Sequence, residues 1–174
     1  MEQVIQLNSQ ANLSEHLASP SEATLGHSNK LDGSHLSPHF TLGEFTRSKY
    51  PEVYNIPSHV AIENLKRLCG WLEVLRERVG HPIVINSGYR SPQLNKKVGG
   101  AASSNHLTGC AADIRTNGMA QAIEYAAILI AHAKESQQDY DELLIEKNRY
   151  GAVWVHFAVR PPGKNRRKVA FIRA

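Results

Sequence analysis

The 174-residue chain is long enough for one domain with its own hydrophobic core, and its two cysteines do not suggest a disulfide framework. Hydrophobic residues make up 41% and charged residues 21%, which is ordinary for a globular protein and unlike a disordered or membrane-embedded chain. The formal net charge is +4, and a basic C-terminal segment contributes Lys164, Arg166, Arg167, Lys168 and Arg173. This segment could meet an anionic polymer or simply be a solvated tail. Aromatic residues are sparse at 7%, and no nucleic-acid motif accompanies the charge, so we expect no nucleic-acid partner.

Residues 1–38 are predicted to form an arm or linker outside the core. They are rich in Ser, Asn, His, Leu and Gly and show no sustained hydrophobic periodicity. The arm is therefore a candidate contact for a partner chain. We expect no transmembrane segment, because no apolar run is long enough to span a membrane. The first residues also lack the basic and apolar regions of a secretory signal, so we expect cytoplasmic synthesis without a signal peptide.

The domain is predicted to span residues 39–174 and to contain three helices. The predicted helices lie at about 42–48, 58–79 and 118–133. Thr41 and Glu44 have the spacing of a capping box, and Asn117 is a candidate cap for the third helix. Apolar residues at steps of three and four mark the long helix, namely Leu65, Leu68, Leu72, Leu75 and Val79. Gly80 supplies its C-terminal stop.

Four strands are predicted between and after these helices, at 82–86, 111–115, 140–146 and 152–159. The first is rich in β-branched residues and leads directly into a turn that carries Arg90. The last two are joined by a five-residue loop, 147–151, and form a hairpin. We expect an α+β fold, with a small, mainly antiparallel sheet and flanking helices.

Three residues are candidates for a metal site. His106 and Asp113 bracket a turn rich in small residues, and His156 lies on the second hairpin strand. Two imidazoles and one carboxylate form a zinc ligand set that leaves a fourth position open for water. Asp113 is the most informative, because a carboxylate in an apolar strand is costly to bury without a partner. Cys110 lies between the first two and is an alternative thiolate ligand or a small buried side chain.

The hairpin pattern predicts which side chains share a face with His156. With 147–151 as the loop, Glu146 would pair with Ala152, and Leu143 with Val155. The apolar residues then form a buried face. The opposite face carries Glu142, Leu144, Glu146, Trp154 and His156. The pattern therefore predicts carboxylates beside the third candidate ligand.

Several of these motifs together resemble one zinc peptidase family, over residues 39 to about 160. They are the run 40–48, the helix 65–79, Ser87-Gly88-Tyr89-Arg90-Ser91, Gly99-Gly100, Ser104-x-His106-x-x-Gly109-x-Ala111-x-Asp113 and Trp154-Val155-His156. The resemblance is to the zinc D-alanyl-D-alanine carboxypeptidases and related phage endolysins. It implies the α+β fold shared with the signalling domain of hedgehog proteins, and Zn²⁺ held by His106, Asp113 and His156.

The resemblance also implies roles for residues around the metal. In this family water activated by the metal attacks a peptide bond of the peptidoglycan stem. The residue matching Arg90 stabilises the developing oxyanion or the substrate carboxylate, and Ser104 matches a serine that lines the substrate site. A fixed guanidinium suits these tasks because it complements negative charge that grows in the transition state.

The general base is where the sequence departs from part of the family. Several members carry a carboxylate three residues before the last histidine, and here that residue is Val153. In the subgroup that the chain resembles most, a glutamate precedes the hairpin loop, and Glu146 matches it. Glu146 is therefore the predicted base, with Glu142 and Asp141 as alternatives.

The sequence thus predicts a zinc metallopeptidase that cuts peptidoglycan stem peptides, as a D,D-carboxypeptidase or an endolysin-type endopeptidase. The alternative is a non-catalytic zinc- or peptidoglycan-binding module of a phage particle or secreted assembly. We expect action at the cell wall, after release or as part of a phage particle. Residues 1–38 would then contact a virion or other protein partner.

Overall fold

The computed structural model describes residues 33–173, which form an α+β fold as predicted. The helices are α1 (Leu42–Thr46), α2 (His59–Val79), α3 (Pro92–Lys97), a 3-10 helix (Asn105–Thr108) and α4 (Met119–Ser136). The strands are β1 (His35–Ser37), β2 (Phe40–Thr41), β3 (Ile85–Ser87), β4 (Ala111–Arg115), β5 (Glu142–Lys147), β6 (Val153–Ala158) and β7 (Lys168–Arg173). None of the described helices has the length and apolar character needed to cross a membrane.

Two sheets are present in the described residues. Strands β1 and β2 form a short antiparallel pair, and the main sheet has the order β3-β4-β6-β5-β7. Its neighbours are antiparallel except for β5 and β7, which run parallel. The sheet is therefore mainly antiparallel, as the sequence indicates, with one parallel edge.

The sheet has a core face and a site face. Leu143, Val155, Phe157 and Ile114 are almost fully buried within the core cluster that α2 and α4 help to form. Side chains on the same strands alternate, so their neighbours point the other way. That second face carries the candidate metal ligands.

The predicted helices and strands are present, with changes at their ends. Strand β4 has the predicted bounds, and α2 is capped by the Ser58 hydroxyl and ends at Gly80 in the left-handed conformation. Helix α1 ends earlier than predicted. The carboxylate of Glu44 accepts the Thr41 N–H at 2.7 Å, as the capping box requires. Gly118, rather than Asn117, is the N-cap of α4.

The hairpin register differs from the predicted one by two residues. Glu146 pairs with Trp154 and not with Ala152, and Leu143 pairs with Phe157 and not with Val155. A two-residue shift keeps every side chain on its original face, because the side-chain period of a strand is two. The predicted face compositions are therefore correct, although the pairing is wrong. The connection is 148–152, one residue later than expected.

Both ends of the described range, 33–173, carry strands that the sequence pattern does not reveal. Strand β1 lies inside the range assigned to the arm, and its Leu36 is buried in the core. Residues 1–32 of that predicted arm lie outside the described residues. At the other end, the predicted basic tail is the edge strand β7 with its preceding turn, and so it is not simply solvated.

The long helix α2 holds the 3-10 helix against the domain. The side-chain amide of Asn64 donates to the Thr108 carbonyl at 2.9 Å. Gly109 follows in the left-handed conformation, and a Cβ there would lie 2.4 Å from the Ala61 carbonyl oxygen. Glycine is the residue that both adopts this left-handed conformation and leaves room for the Ala61 carbonyl. Its lack of a side chain therefore allows α2 and the 3-10 helix to approach closely. This contact sets the position of His106.

Candidate metal centre

The three predicted ligands converge on one buried point. His106 lies on the 3-10 helix, Asp113 on β4 and His156 on β6, and one ligand atom from each lies within 4.8 Å of the other two. Asp113 and His156 are directly paired across the two strands, so their side chains leave the same face side by side. The sheet thus supplies two ligands, and the 3-10 segment supplies the third.

The ring of His106 is oriented by a backbone carbonyl. Its Nδ1 lies 2.6 Å from the carbonyl oxygen of Gly88, which can only accept a hydrogen bond. Nδ1 therefore donates to this carbonyl, and Nε2 is turned towards Asp113 Oδ1 at a distance of 3.2 Å. Histidines that bind metals are usually fixed through the other ring nitrogen in this way.

Asp113 links the two histidines to Arg90. Its Oδ1 lies close to both imidazoles, and its Oδ2 accepts from Arg90 Nη2 at 2.6 Å. Burial alone would raise the pKa of this carboxyl group, but His106, His156 and their hydrogen bonds hold it well below its ordinary value. Asp113 is therefore an ionised ligand inside the fold.

His156 is held between two carboxylates. Its Nδ1 lies 2.9 Å from Asp113 Oδ1, and its Nε2 lies 3.5 Å from Glu142 Oε2. Burial works against the charged ring, but the hydrogen bonds to these carboxylates prevail and raise the pKa of His156 to about 9. Nδ1 therefore faces the candidate metal position, and Glu142 holds the other nitrogen.

The residues fit a divalent metal such as zinc. Ligand atoms about 2.0 Å from a tetrahedral ion lie roughly 3.3 Å from one another. The two histidine nitrogens lie 3.2 and 2.9 Å from Asp113 Oδ1, close to that spacing. Imidazole and carboxylate donors also suit zinc. Cys110 takes no part, because its thiol lies near the Thr108 carbonyl and burial raises its pKa.

Glu146 lies on the site face of β5, two residue pairs along the ladder from His156. It is partly buried, and burial, followed by the negative charge of Asp113, raises the pKa of its carboxyl group. His156, Trp154 and Arg90 partly offset that rise. A carboxyl group beside the ligands with a raised pKa is suited to taking up and returning protons.

The two alternative carboxylates, Glu142 and Asp141, accept hydrogen bonds from positively charged side chains. Glu142 contacts His156, and this hydrogen bond, opposed by burial, lowers the pKa of Glu142 to about 2. Asp141 is fully buried and accepts hydrogen bonds from Arg166 at 2.7 and 2.8 Å. Both are structural acceptors in this arrangement.

Ser104 is the N-cap of the 3-10 helix. Its hydroxyl accepts from the His106 N–H at 3.3 Å, so its contact with the described residues supports the ligand-bearing turn. The substrate role implied for Ser104 stays a prediction.

Two asparagines that the sequence did not single out position the predicted residues. Asn55 donates to the Tyr89 carbonyl at 2.9 Å and accepts from the Ser91 N–H at 2.7 Å, so it binds the backbone on both sides of Arg90. Asn105 donates to Glu142 Oε2 and Asp141 Oδ2, each at 2.8 Å. Asn55 precedes Ile56-Pro57 in the segment before α2, but nothing local indicates its distant partners.

Comparison with protein families identifies the chain. A family model described as peptidase M15 matches residues 38–151, which is more than half of the chain. The chain belongs to the peptidase M15 family. The family resemblance predicted from the motifs is therefore confirmed. A comparison with curated proteins finds no match.

Membership supports a metallopeptidase, since M15 peptidases are typically zinc-dependent. The matched segment of this M15 peptidase contains His106, Asp113 and Glu146. His156 lies beyond it, and β6 brings that residue to the other two.

Proposed function

We propose that this M15 peptidase is a zinc-dependent hydrolase of peptidoglycan stem peptides, acting as a D,D-carboxypeptidase or an endolysin-type endopeptidase. The observation that carries the proposal is the convergence of His106, Asp113 and His156 beside Arg90 and Glu146. These side chains combine a metal ligand set, a fixed positive charge and a carboxyl group with a raised pKa. Peptide hydrolysis needs all three.

His106, Asp113 and His156 would hold the metal. Zinc, when bound, supplies a Lewis acid that polarises a carbonyl and lowers the pKa of water. The protein contributes ligands whose orientation is set in advance by Gly88 and Glu142. His156 has a raised pKa, and its ring must lose a proton before it can bind the metal.

Arg90 is the proposed stabiliser of negative charge. Its Nη2 donates to Asp113 and its Nε donates to Ser87 Oγ at 2.9 Å, so the guanidinium group is fixed at the edge of the centre. Its Nη1 donates to none of the described residues. This nitrogen could meet an oxyanion or a substrate carboxylate.

Glu146 is the proposed general base. It shares the site face with His156, and its raised pKa brings it nearer to the pH at which proton transfer is effective. Glu142 and Asp141 are less suitable, because hydrogen bonds to positively charged side chains stabilise their ionised forms. The position three residues before His156, where several members of the family carry a carboxylate, is occupied by Val153, which is buried in the core.

The proposed place of action is the cell wall, reached after release or as part of a phage particle. The family resemblance and the formal net charge of +4 support this, since a basic protein is attracted to anionic wall polymers. The proposed partners are peptidoglycan peptides. A virion or other protein partner for residues 1–38 is part of the same proposal.

The direct test is digestion of purified muropeptides by the zinc-loaded protein, with and without a chelator. We expect new products by mass spectrometry that disappear when the metal is removed and return when zinc is added back. The product masses identify the bond that is cut. Absence of any chelator-sensitive product would favour the non-catalytic binding module instead.

The role of Glu146 is tested by Glu146→Gln. We expect kcat to fall by roughly 10²–10⁴, because a general acid–base residue contributes about this much. Zinc affinity measured by competition with a chromogenic chelator should stay within about twofold, since Glu146 is not a ligand. Glu77→Gln, on the exposed surface of α2, is the matched control and should keep full activity. Full activity in Glu146→Gln would remove this residue from the mechanism.

A further inference from the structure

A groove beside the candidate metal centre has the character of a binding site for an acidic group. Its volume is about 440 Å³. Its lining consists of Arg47, Ser48, Lys49, Tyr50, Ile85, Asn86, Ser87, Arg90, Leu94 and Val98. The lining thus includes three positively charged side chains and no carboxylate. Unbalanced charge of one sign in a concave surface attracts ligands of the opposite sign.

Arg90 connects this groove to the metal centre. It lines the groove, and its Nη2 is 2.6 Å from the ligand Asp113. A peptide whose reacting bond lies at the centre would therefore extend into the groove. Arg90 is the residue that the groove lining and the contacts of the candidate ligands have in common.

The other two positive charges are free to meet a ligand. Arg47 and Lys49 are exposed, and neither forms an ion pair with a carboxylate of residues 33–173. Lys49 Nζ lies 5.2 Å from the centre of the Tyr50 ring, which holds the ammonium group near the groove. By contrast, Lys97, whose Nζ lies 4.7 Å from the centre of the same ring, pairs with Glu52.

The groove also has an apolar side. Leu94 and Val98 of the α3 segment and Ile85 of β3 contribute aliphatic surface to the same lining. A small peptide with aliphatic side chains and a carboxylate matches both parts, because binding sites combine apolar walls with a few placed polar groups. A bulky polyanion does not need this apolar surface, so we favour a peptide.

We propose that Arg47 and Lys49 form a subsite that binds a carboxylate of the substrate peptide in the groove beyond Arg90. This inference rests on the proposed peptidase function and specifies its substrate class as acidic peptides. The carboxylate is either the free carboxyl group of an internal D-glutamyl residue or the C-terminal carboxyl group. Both present the same chemistry to the two cations.

The test measures binding rather than turnover. Three synthetic peptides of sequence L-Ala-γ-D-Glu-L-Lys-D-Ala-D-Ala are titrated by calorimetry into the metal-free protein. One has both carboxyl groups free, one is amidated at the internal D-glutamyl carboxyl group, and one is amidated at the C-terminus. We expect one of the two amidations to weaken binding by roughly tenfold, and the affected position identifies the source of the carboxylate. The difference should shrink at high ionic strength.

Variants without the two positive charges test whether the difference in Kd between free and amidated peptides arises in the groove. In the doubly substituted Arg47→Gln, Lys49→Gln protein, the free and amidated peptides should bind with equal Kd. Lys134→Gln, on the exposed surface of α4, should keep the full discrimination of the wild type. Equal binding of all three peptides to the wild type, lack of binding by any peptide, or unchanged discrimination in the double variant would overturn the subsite. Carboxylate-dependent binding without hydrolysis of the same peptides by the zinc-loaded protein would support the subsite and contradict the peptidase function.

Discussion

The carbonyl group of Gly88 fixes the ring of His106, and the same residue has no room for a side chain. A Cβ at this position would lie 2.7 Å from backbone and side-chain atoms of Phe45. Phe45 is fully buried in the core, so it cannot move away at low cost. His106 is therefore positioned through the packing of α1 against the turn before Arg90.

Gly88→Ala should weaken zinc binding without removing a ligand. The methyl group would displace the Gly88 carbonyl from His106 Nδ1, and loss of such a supporting contact typically costs 10–100-fold in metal affinity. Zinc affinity from chelator competition is the measurement. Gly70→Ala is the matched control, because a Cβ there meets no atom within 4 Å and α2 should gain up to about 1 kcal/mol. Unchanged affinity in Gly88→Ala would show that this carbonyl is dispensable.

Asn55 is expected to influence the proposed catalysis through Arg90, because it binds the backbone on both sides of that residue. Asn55→Ala should lower kcat/KM by roughly ten- to a hundredfold, because misplacement of a charge-stabilising group by about 1 Å has effects of this size. Zinc affinity should not change, since no ligand is touched. Steady-state kinetics on muropeptides and chelator competition together separate the two effects. The exposed Asn117→Ala should behave as the wild type in both, and an equal loss there would contradict a specific role for Asn55.

At the scale of secondary-structure elements, the C-terminal strand is connected to the metal centre through a polar network. Arg166, just before β7, binds the fully buried Asp141, and Asn105 joins Asp141 to Glu142. Glu142 in turn contacts His156. The segment that leads into the edge strand thus carries a charge that supports the surroundings of His156, although it contributes no candidate ligand itself.

Asp141→Asn should reduce stability in a pH-dependent manner. Burial would raise the pKa of Asp141, but hydrogen bonds from Arg166 and Asn105, together with the charge of Arg160, lower it below its ordinary value. The stabilisation is therefore fully present above the unfolded value of about 3.9 and is lost as pH falls through the lower folded value. Hydrogen bonds to charged groups suggest a cost of about 1.5–3 kcal/mol at pH 7, which should shrink near pH 2.

Urea unfolding of wild type and variant at both pH values measures this difference. Asp139→Asn is a suitable control, because its pair with Arg167 is exposed and worth at most about 1 kcal/mol. If Asp141→Asn lowers the free energy of unfolding equally at both pH values, packing rather than charge explains the contribution of this residue.

At the scale of the whole molecule, the candidate metal centre joins parts of the chain that are distant in sequence. His106 and Asp113 are separated from His156 by α4 and the hairpin, and all three are buried beside the central strands. Two imidazoles and a carboxylate clustered in this way are expected to bind the metal in the native state and not in the unfolded chain. Metal binding should consequently stabilise the fold.

Zinc should raise the melting temperature of this protein. Free zinc at a hundred times Kd stabilises the native state by about 2.7 kcal/mol, which corresponds to a rise of roughly 5–15 °C for a domain of this size. Differential scanning calorimetry with and without zinc is the measurement. His106→Ala should abolish the rise, whereas the exposed His59→Ala should retain it. An equal rise in His106→Ala would place the metal elsewhere.

The sequence by itself determined three of the helices, the four central strands, the family and the candidate ligands, but not α3 or the 3-10 helix that carries His106. Caps such as Ser58, the spacing of apolar residues in α2 and the His106–Asp113 motif are local signals, and local signals can be read without a fold. Face alternation was also predictable. The pairing of Glu146 with Trp154 was not, because a shift of two residues preserves both faces and leaves the pattern unchanged.

Only the tertiary structure decided how the ligands are supported. Asn55 and Asn105 act through hydrogen bonds to residues more than 30 positions away, and Asp141 also binds Arg166, 25 positions away. A polar side chain carries no local mark of such a partner. The same holds for β7, whose basic residues have the composition of a solvated tail until β5 provides an edge for pairing. Local periodicity specifies each element, whereas long-range polar contacts form only after the elements have packed.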